Sequence, residues 1–134
     1  MVRKNLEEDD TQGNVRAVIE AQAMSSAIHS RWMGVPVTSL YVTGGASANE
    51  EILKIFSNVH GCPVHRFETT NAAALGAALR AYQGHRPDIA WPLITEPFCQ
   101  PVSGSTIQPD PSTRAIYDTL IAQYAAFERA HTQA

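Results

Sequence analysis

The residues best suited to chemistry are Gly44, Gly45, Ala46, Ser47 and Asn49, in the stretch Thr43-Gly-Gly-Ala-Ser-Ala-Asn-Glu-Glu-Ile-Leu53. A short apolar run ends in this glycine pair, and an amphipathic segment starts within a few residues. Two glycines let a backbone turn sharply and come close to a ligand. A helix behind them points free N–H groups and the positive end of its dipole at the turn. That combination suits a phosphate or a nucleotide. No lysine follows at the spacing of a P-loop, and Gly-Gly-Ala-Ser-Ala-Asn lacks the third glycine of the dinucleotide fingerprint. A strand–glycine–helix turn also serves as a tight connection without ligand. These residues alone leave both readings open.

Other chemistry has little support. Ser47 has no Gly-x-Ser-x-Gly context, and Cys62 precedes Pro63 with no implied base. The five histidines are scattered without ligand spacing, so no metal ligand and no catalytic residue is assigned. Glu68, between a strand and a helix, is the one carboxylate placed to face a cleft. Cys62 and Cys99 are far apart and are expected to be free thiols in a reducing cytoplasm. A net charge of −3, with no basic stripe, argues against nucleic acid as a partner. No apolar run approaches the roughly 18 residues of a membrane span. The N-terminus lacks the apolar core of a secretory signal.

These residues must be positioned by a small set of elements, since 134 residues make about one domain. Residues 1–13 are expected to be a flexible lead-in. A helix runs from Asn14, its cap, to about Trp32, with Ala17, Ala21, Met24 and Ile28 at helical spacing. The β-branched stretch from Val37 to Thr43 reads as a buried strand. Ser47 with Glu50 matches a capping box for the next helix. Ile52, Ile55, Phe56 and Val59 form its stripe, and Gly61 and Pro63 stop it. Val64 to Phe67 reads as a second strand. Thr70 or Asn71 caps a third helix, Ala72 to about Tyr82, closed by Gly84. Gly76 within it costs about 1 kcal/mol relative to alanine, which close approach of another helix or a ligand would explain; an alanine-rich helix that merely has high propensity is the other reading. Residues 85–111 hold six of the eight prolines and read as a long surface connection. Ser112 caps a last helix to about Ala130, with Ile116, Leu120, Tyr124 and Phe127 as its stripe. Strand–helix alternation means α/β with parallel strands. Two strands are few for four helices, so the pattern reads as part of a domain.

Thr43 to Leu53, followed by Pro63-Val-His-Arg-Phe-Glu-Thr-Thr-Asn-Ala-Ala-Ala-Leu-Gly-Ala-Ala-Leu-Arg-Ala81, resembles the C-terminal part of FGGY carbohydrate kinases. The helix Val15 to Ala23 is similar to the one before their nucleotide loop. The resemblance is strong over 14–84 and weaker over 85–111 and 112–134. It implies a partial ribonuclease-H-like domain of the actin-like ATPase superfold. It implies ATP as cofactor, with Mg²⁺ in the intact enzyme. Gly44, Gly45, Ala46 and Ser47 would then meet the α-phosphate and ribose, and Asn49 the adenine. It further implies transfer of the γ-phosphoryl group to D-xylulose or a related ketopentose, with ribulose, glycerol and gluconate as alternatives. The helix from Ala72 resembles one that crosses its counterpart at the interdomain hinge. The family's Asp-x-Gly-Thr phosphate loop and its catalytic Asp have no equivalent in these residues. The expectation is a chain inactive alone, whose sugar site lies on an N-terminal domain, and which self-associates or dimerises through uncovered apolar faces. A non-catalytic interaction module of the same fold, or an unrelated Rossmann-like domain, are the other readings.

Overall fold

The computed structural model describes residues 6–69 and 71–132. Among these described residues, five α-helices and two strands form in the order α1 (Thr11–His29), β1 (Leu40–Val42), α2 (Glu50–His60), β2 (Val64–Arg66), α3 (Ala72–His85), α4 (Trp91–Thr95) and α5 (Arg114–Thr132). The strands pair in parallel, with Leu40 opposite Val64, Tyr41 opposite His65 and Val42 opposite Arg66. The expected alternation and parallel pairing are therefore present.

One helical layer holds the structure together. Ala23 and Met24 of α1, Ile55 and Val59 of α2, and Tyr117 and Ile121 of α5 form a single buried cluster. Fully burying a side chain of valine or isoleucine size contributes about 1.5–3 kcal/mol. The stripe expected on the last helix is displaced by one residue at its start. Tyr117 and Ile121 face inward with Leu120 and Tyr124, while Ile116 and, at the far end of the expected stripe, Phe127 are exposed. Tyr117 wins the inward position because its hydroxyl donates to Glu20 Oε1 at 2.9 Å, which satisfies its polar end.

Helix starts also differ from expectation. α1 begins at Thr11, capped by Asp10, whose Oδ1 accepts from the Gly13 amide at 2.9 Å. Asn14 lies inside the helix, and its Nδ2 donates back to the Asp10 carbonyl. Asp110, rather than Ser112, opens the last helical segment. Its carboxylate accepts from the Ser112 amide and hydroxyl, and those bonds hold it below the usual carboxylate range. For α3, Asn71 stands at the cap without a side-chain bond, and Thr70 lies outside the described residues. The helix runs through Gly84 to His85. α2 ends as expected at Gly61, whose left-handed backbone (φ 67°) suits a residue without Cβ.

The proline-rich stretch is structured. It forms α4 and a turn of 3₁₀ helix at Glu96–Phe98, then returns along the outer edge of β2. Ile107 exchanges both backbone hydrogen bonds with Val64 at 2.9 Å, and Phe67 bridges Pro101. Ser57, fully buried, places Oγ 2.9 Å from the Cys62 carbonyl and 3.2 Å from that of Ile107. Prolines suit such a path, because a strand edge needs few donors from its cover. The Arg80 guanidinium lies over the Trp91 ring at 4.9 Å and ties α3 to α4.

β1 is shorter and less buried than expected. Tyr41 is 58% exposed and stacks on His65 and Phe67, with centroids 5.1 and 5.5 Å apart. One face of the sheet thus packs inward while the other presents a row of aromatic rings.

Candidate functional site

Ligands of parallel α/β sheets sit beyond the carboxyl ends of the strands. Here two βα turns meet at that edge. The first follows β1 and the second follows β2. Thr43, the residue after β1, donates its hydroxyl to the Thr69 carbonyl and links the two turns. Reading the sequence did not single out Thr43. Its position between the strand and the glycine pair was the only available signal.

The glycine turn has the geometry that glycine permits and other residues resist. Gly44 has φ 92° and ψ −178°, a region essentially reserved for glycine. Gly45 to Ala48 then make one turn of 3₁₀ helix. Ser47 holds this turn together from within. Its amide and hydroxyl both donate to the Gly44 carbonyl, at 3.1 and 2.6 Å, and the side chain is buried. Ala46 accepts from the Asn49 amide at 3.1 Å. Gly45 and Ala46 are exposed, and their amides have no acceptor among the described residues.

The capping box expected from Ser47 and Glu50 does not form. Asn49 is the cap of α2, and its Oδ1 accepts from the amides of Glu51 (3.0 Å) and Ile52 (3.3 Å). The extra 3₁₀ turn moves the helix start two residues along and carries Ser47 into the loop. The amides left for a ligand are therefore those of the turn, whereas two in the helix's first turn are already satisfied. Glu50 and Glu51 complement the dipole of α2. Lys54 lies 2.7 Å from Glu51, and that bond holds the carboxyl below its usual range.

Two clefts flank the turn. One, about 770 Å³, runs between α1 and α2 beside Asn49, with Gln12, Val15, Arg16 and Ile52 on its walls. The other, about 370 Å³ and mostly apolar, lies between the strand ends, α3 and α4, with Thr43, Phe67, Leu75 and Gly76 on its walls. Gly76 thus borders open space. A Cβ there would meet nothing within 4 Å, so the expected close approach is not made by any of the described residues. Glu68 is exposed and has no hydrogen-bond partner among the described residues. No group of three or more metal-type ligands occurs among the described residues. None of their helices is long and apolar enough to cross a membrane.

The strand order, the glycine turn and the small-residue helix make this part of a ribonuclease-H-like domain of the actin-like ATPase superfold. Residues 5–84 match the C-terminal domain of the FGGY family of carbohydrate kinases, and the chain belongs to that family. It is 35% identical over 133 residues to a xylulose kinase from Mus musculus, covering 94% of this chain and 24% of that protein. It is 46% identical over 79 residues to xylulose kinase 2 from Arabidopsis thaliana, covering 58% of this chain and 14% of that protein. A crystal structure of xylulose kinase from Rhodospirillum rubrum superposes with a TM-score of 0.72 at 25% identity, over 95% of this chain and 26% of that one. The chain thus spans about a quarter of the length of the Mus musculus and Rhodospirillum rubrum proteins.

Proposed function

We propose that this chain is the nucleotide-binding C-terminal portion of an ATP-dependent sugar kinase acting on D-xylulose or a related ketopentose. The observation that carries this is the turn at Gly44 to Asn49. It combines two exposed, unpaired amides, a glycine-only backbone and a position at the carboxyl edge of parallel strands. Those features fit the α-phosphate and ribose of ATP, with Gly44, Gly45 and Ala46 in contact and Ser47 keeping the turn in shape. Asn49 reaches the adenine through its Nδ2, since its Oδ1 serves the helix cap. The turn carries no lysine or arginine, so it supplies backbone dipoles rather than charge.

Phosphoryl transfer depends almost wholly on positioning and charge stabilisation. Mg²⁺ would bridge phosphates and neutralise the developing charge in the intact enzyme. The base that takes the sugar's proton, and the cradle for the terminal phosphates, belong to residues outside these 134. The chain alone is therefore expected to be inactive and to bind ATP with millimolar or weaker affinity. Exposed apolar side chains such as Trp32, Val35 and Leu93 favour self-association until other parts of the enzyme cover them. The cytoplasm suits a sugar kinase with two unpaired cysteines.

The test is co-expression with the N-terminal portion of a xylulose kinase, followed by kinase assays on xylulose, ribulose, glycerol and gluconate. Xylulose-dependent ATP turnover by the pair, absent from either part, is expected. Turnover by the isolated chain, or preference for a dinucleotide in calorimetry, overturns the reading.

A further inference from the structure

A third cavity, about 410 Å³, lies at the opposite end of α2 from the glycine turn. The 11 residues of α2, at 1.5 Å per residue, separate the two by roughly 16 Å. The cavity is a half-open cleft lined by α1 and the segment after it, the last turn of α2, and α5. Val37 and Ile121 are among its apolar walls. Its charged and titratable groups are Arg31, His60, Arg114 and Asp118.

The charges do not balance. Arg114 donates through Nη2 to Asp118 at 2.6 Å and through Nη1 to the Val59 carbonyl at 3.3 Å. Its Nε is buried and has no acceptor among the described residues. Arg31 has no ion-pair or hydrogen-bond partner for its side chain among them. The single carboxylate is thus already committed to one guanidinium, and the other guanidinium is free. This positive excess stands in a chain whose net charge is −3. His60 sits 3.3 Å from Ser26 Oγ, and burial, followed by the charge of Arg114, holds its ring below the usual histidine range. Apolar walls around a few convergent polar groups, at this volume, are typical of small-molecule sites. Buried donors without an acceptor are uncommon in folded proteins.

We propose that this cavity binds a small oxyanion, a phosphate monoester or a carboxylate, between Arg31 and Arg114 with His60 alongside. Guanidinium groups suit such anions because their planar N–H fork matches two oxygens. The site is independent of the nucleotide reading, since it shares no residue with the glycine turn.

The test is an NMR titration of the chain with inorganic phosphate and, separately, with malonate, at constant ionic strength set by chloride. Saturable shifts at Arg31, His60 and Arg114 are expected, with the His60 titration midpoint raised by about half a unit or more as the anion favours its charged form. Saturation by phosphate alone identifies a phosphate ligand, and by malonate alone a carboxylate. Arg31→Ala, an exposed position, should weaken binding at least about fivefold with an unchanged thermal midpoint. Arg114→Lys keeps a charge near Val59 but loses the fork, and should weaken binding as well. Shifts that match chloride, shifts confined to Gly44–Ala46, or unchanged binding in Arg31→Ala each overturn the proposal.

Discussion

Replacing Gly44 and Gly45 by alanine, one at a time, separates backbone strain from steric room. A Cβ built on either residue meets nothing within 4 Å, so neither substitution creates a clash among the described residues. The two differ in backbone. Gly44 at φ 92° and ψ −178° occupies a region where a Cβ costs about 1–3 kcal/mol. Gly45 has no positive φ and begins a 3₁₀ turn. Alanine there restricts the unfolded chain and is neutral or stabilising by up to about 1 kcal/mol. With an unfolding entropy near 2.1 cal/mol/K per residue, 1 kcal/mol corresponds to about 3–4 °C at this length. Gly44→Ala should therefore lower the thermal midpoint by about 4–10 °C, while Gly45→Ala should leave it level or raise it by up to about 4 °C. Circular dichroism melts of the two variants, with urea titrations alongside, supply the measurement. ATP affinity should fall in both, for different reasons. Gly44→Ala reshapes the turn, and Gly45→Ala sets a methyl group beside the open amides. Equal midpoints for the two variants would refute the backbone argument. Undiminished ATP binding in Gly44→Ala would refute the role of the turn.

Three further outcomes follow from the same structure. Asn49→Ala removes the cap of α2 and should cost about 1 kcal/mol, whereas Glu50→Gln should stay within about 0.5 kcal/mol; urea midpoints that rank the two the other way would restore the capping box. Gly76→Ala should stabilise this chain by about 0.5–1 kcal/mol, because its Cβ meets open space. In the assembled kinase the same change should instead lower activity, and a destabilised isolated chain would contradict the open groove. His60 titrates below its usual value in the folded chain. The unfolded chain then takes up the proton first, so this contribution to stability is complete above about pH 6.5 and is lost as pH falls below it. The stability advantage of the natural chain over His60→Gln should shrink between pH 7.5 and 5.5, and a pH-independent difference would exclude desolvation as the cause.

Much of the fold was legible because local chemistry and tertiary packing agree over 40–66. The β-branched run, the glycine pair, the apolar stripe of α2 and the Gly61 stop each act over a few residues. Disagreements arose where several local signals competed. Asp10, Asn14, Ser47, Asn49, Asp110 and Ser112 can all cap a helix, and the choice depends on where the preceding backbone enters. At α2 the 3₁₀ turn decides it, because it brings Asn49 rather than Ser47 to the helix entrance. The stretch 85–111 looked irregular because its partners are remote. Pairing of Ile107 with Val64 spans more than forty residues and leaves no periodic trace.

The sequence by itself determined the α/β class, the family and the turn at Gly44 to Asn49, since these rest on residue types at fixed short spacing. Tertiary structure alone decided which donors of that turn remain open, that Thr43 ties it to Thr69, and that Gly76 faces a groove. It also assembled Arg31, His60 and Arg114 around one cavity. The physical reason is that hydrogen-bond saturation and burial are properties of neighbours in space. Spacing along the chain does not record them.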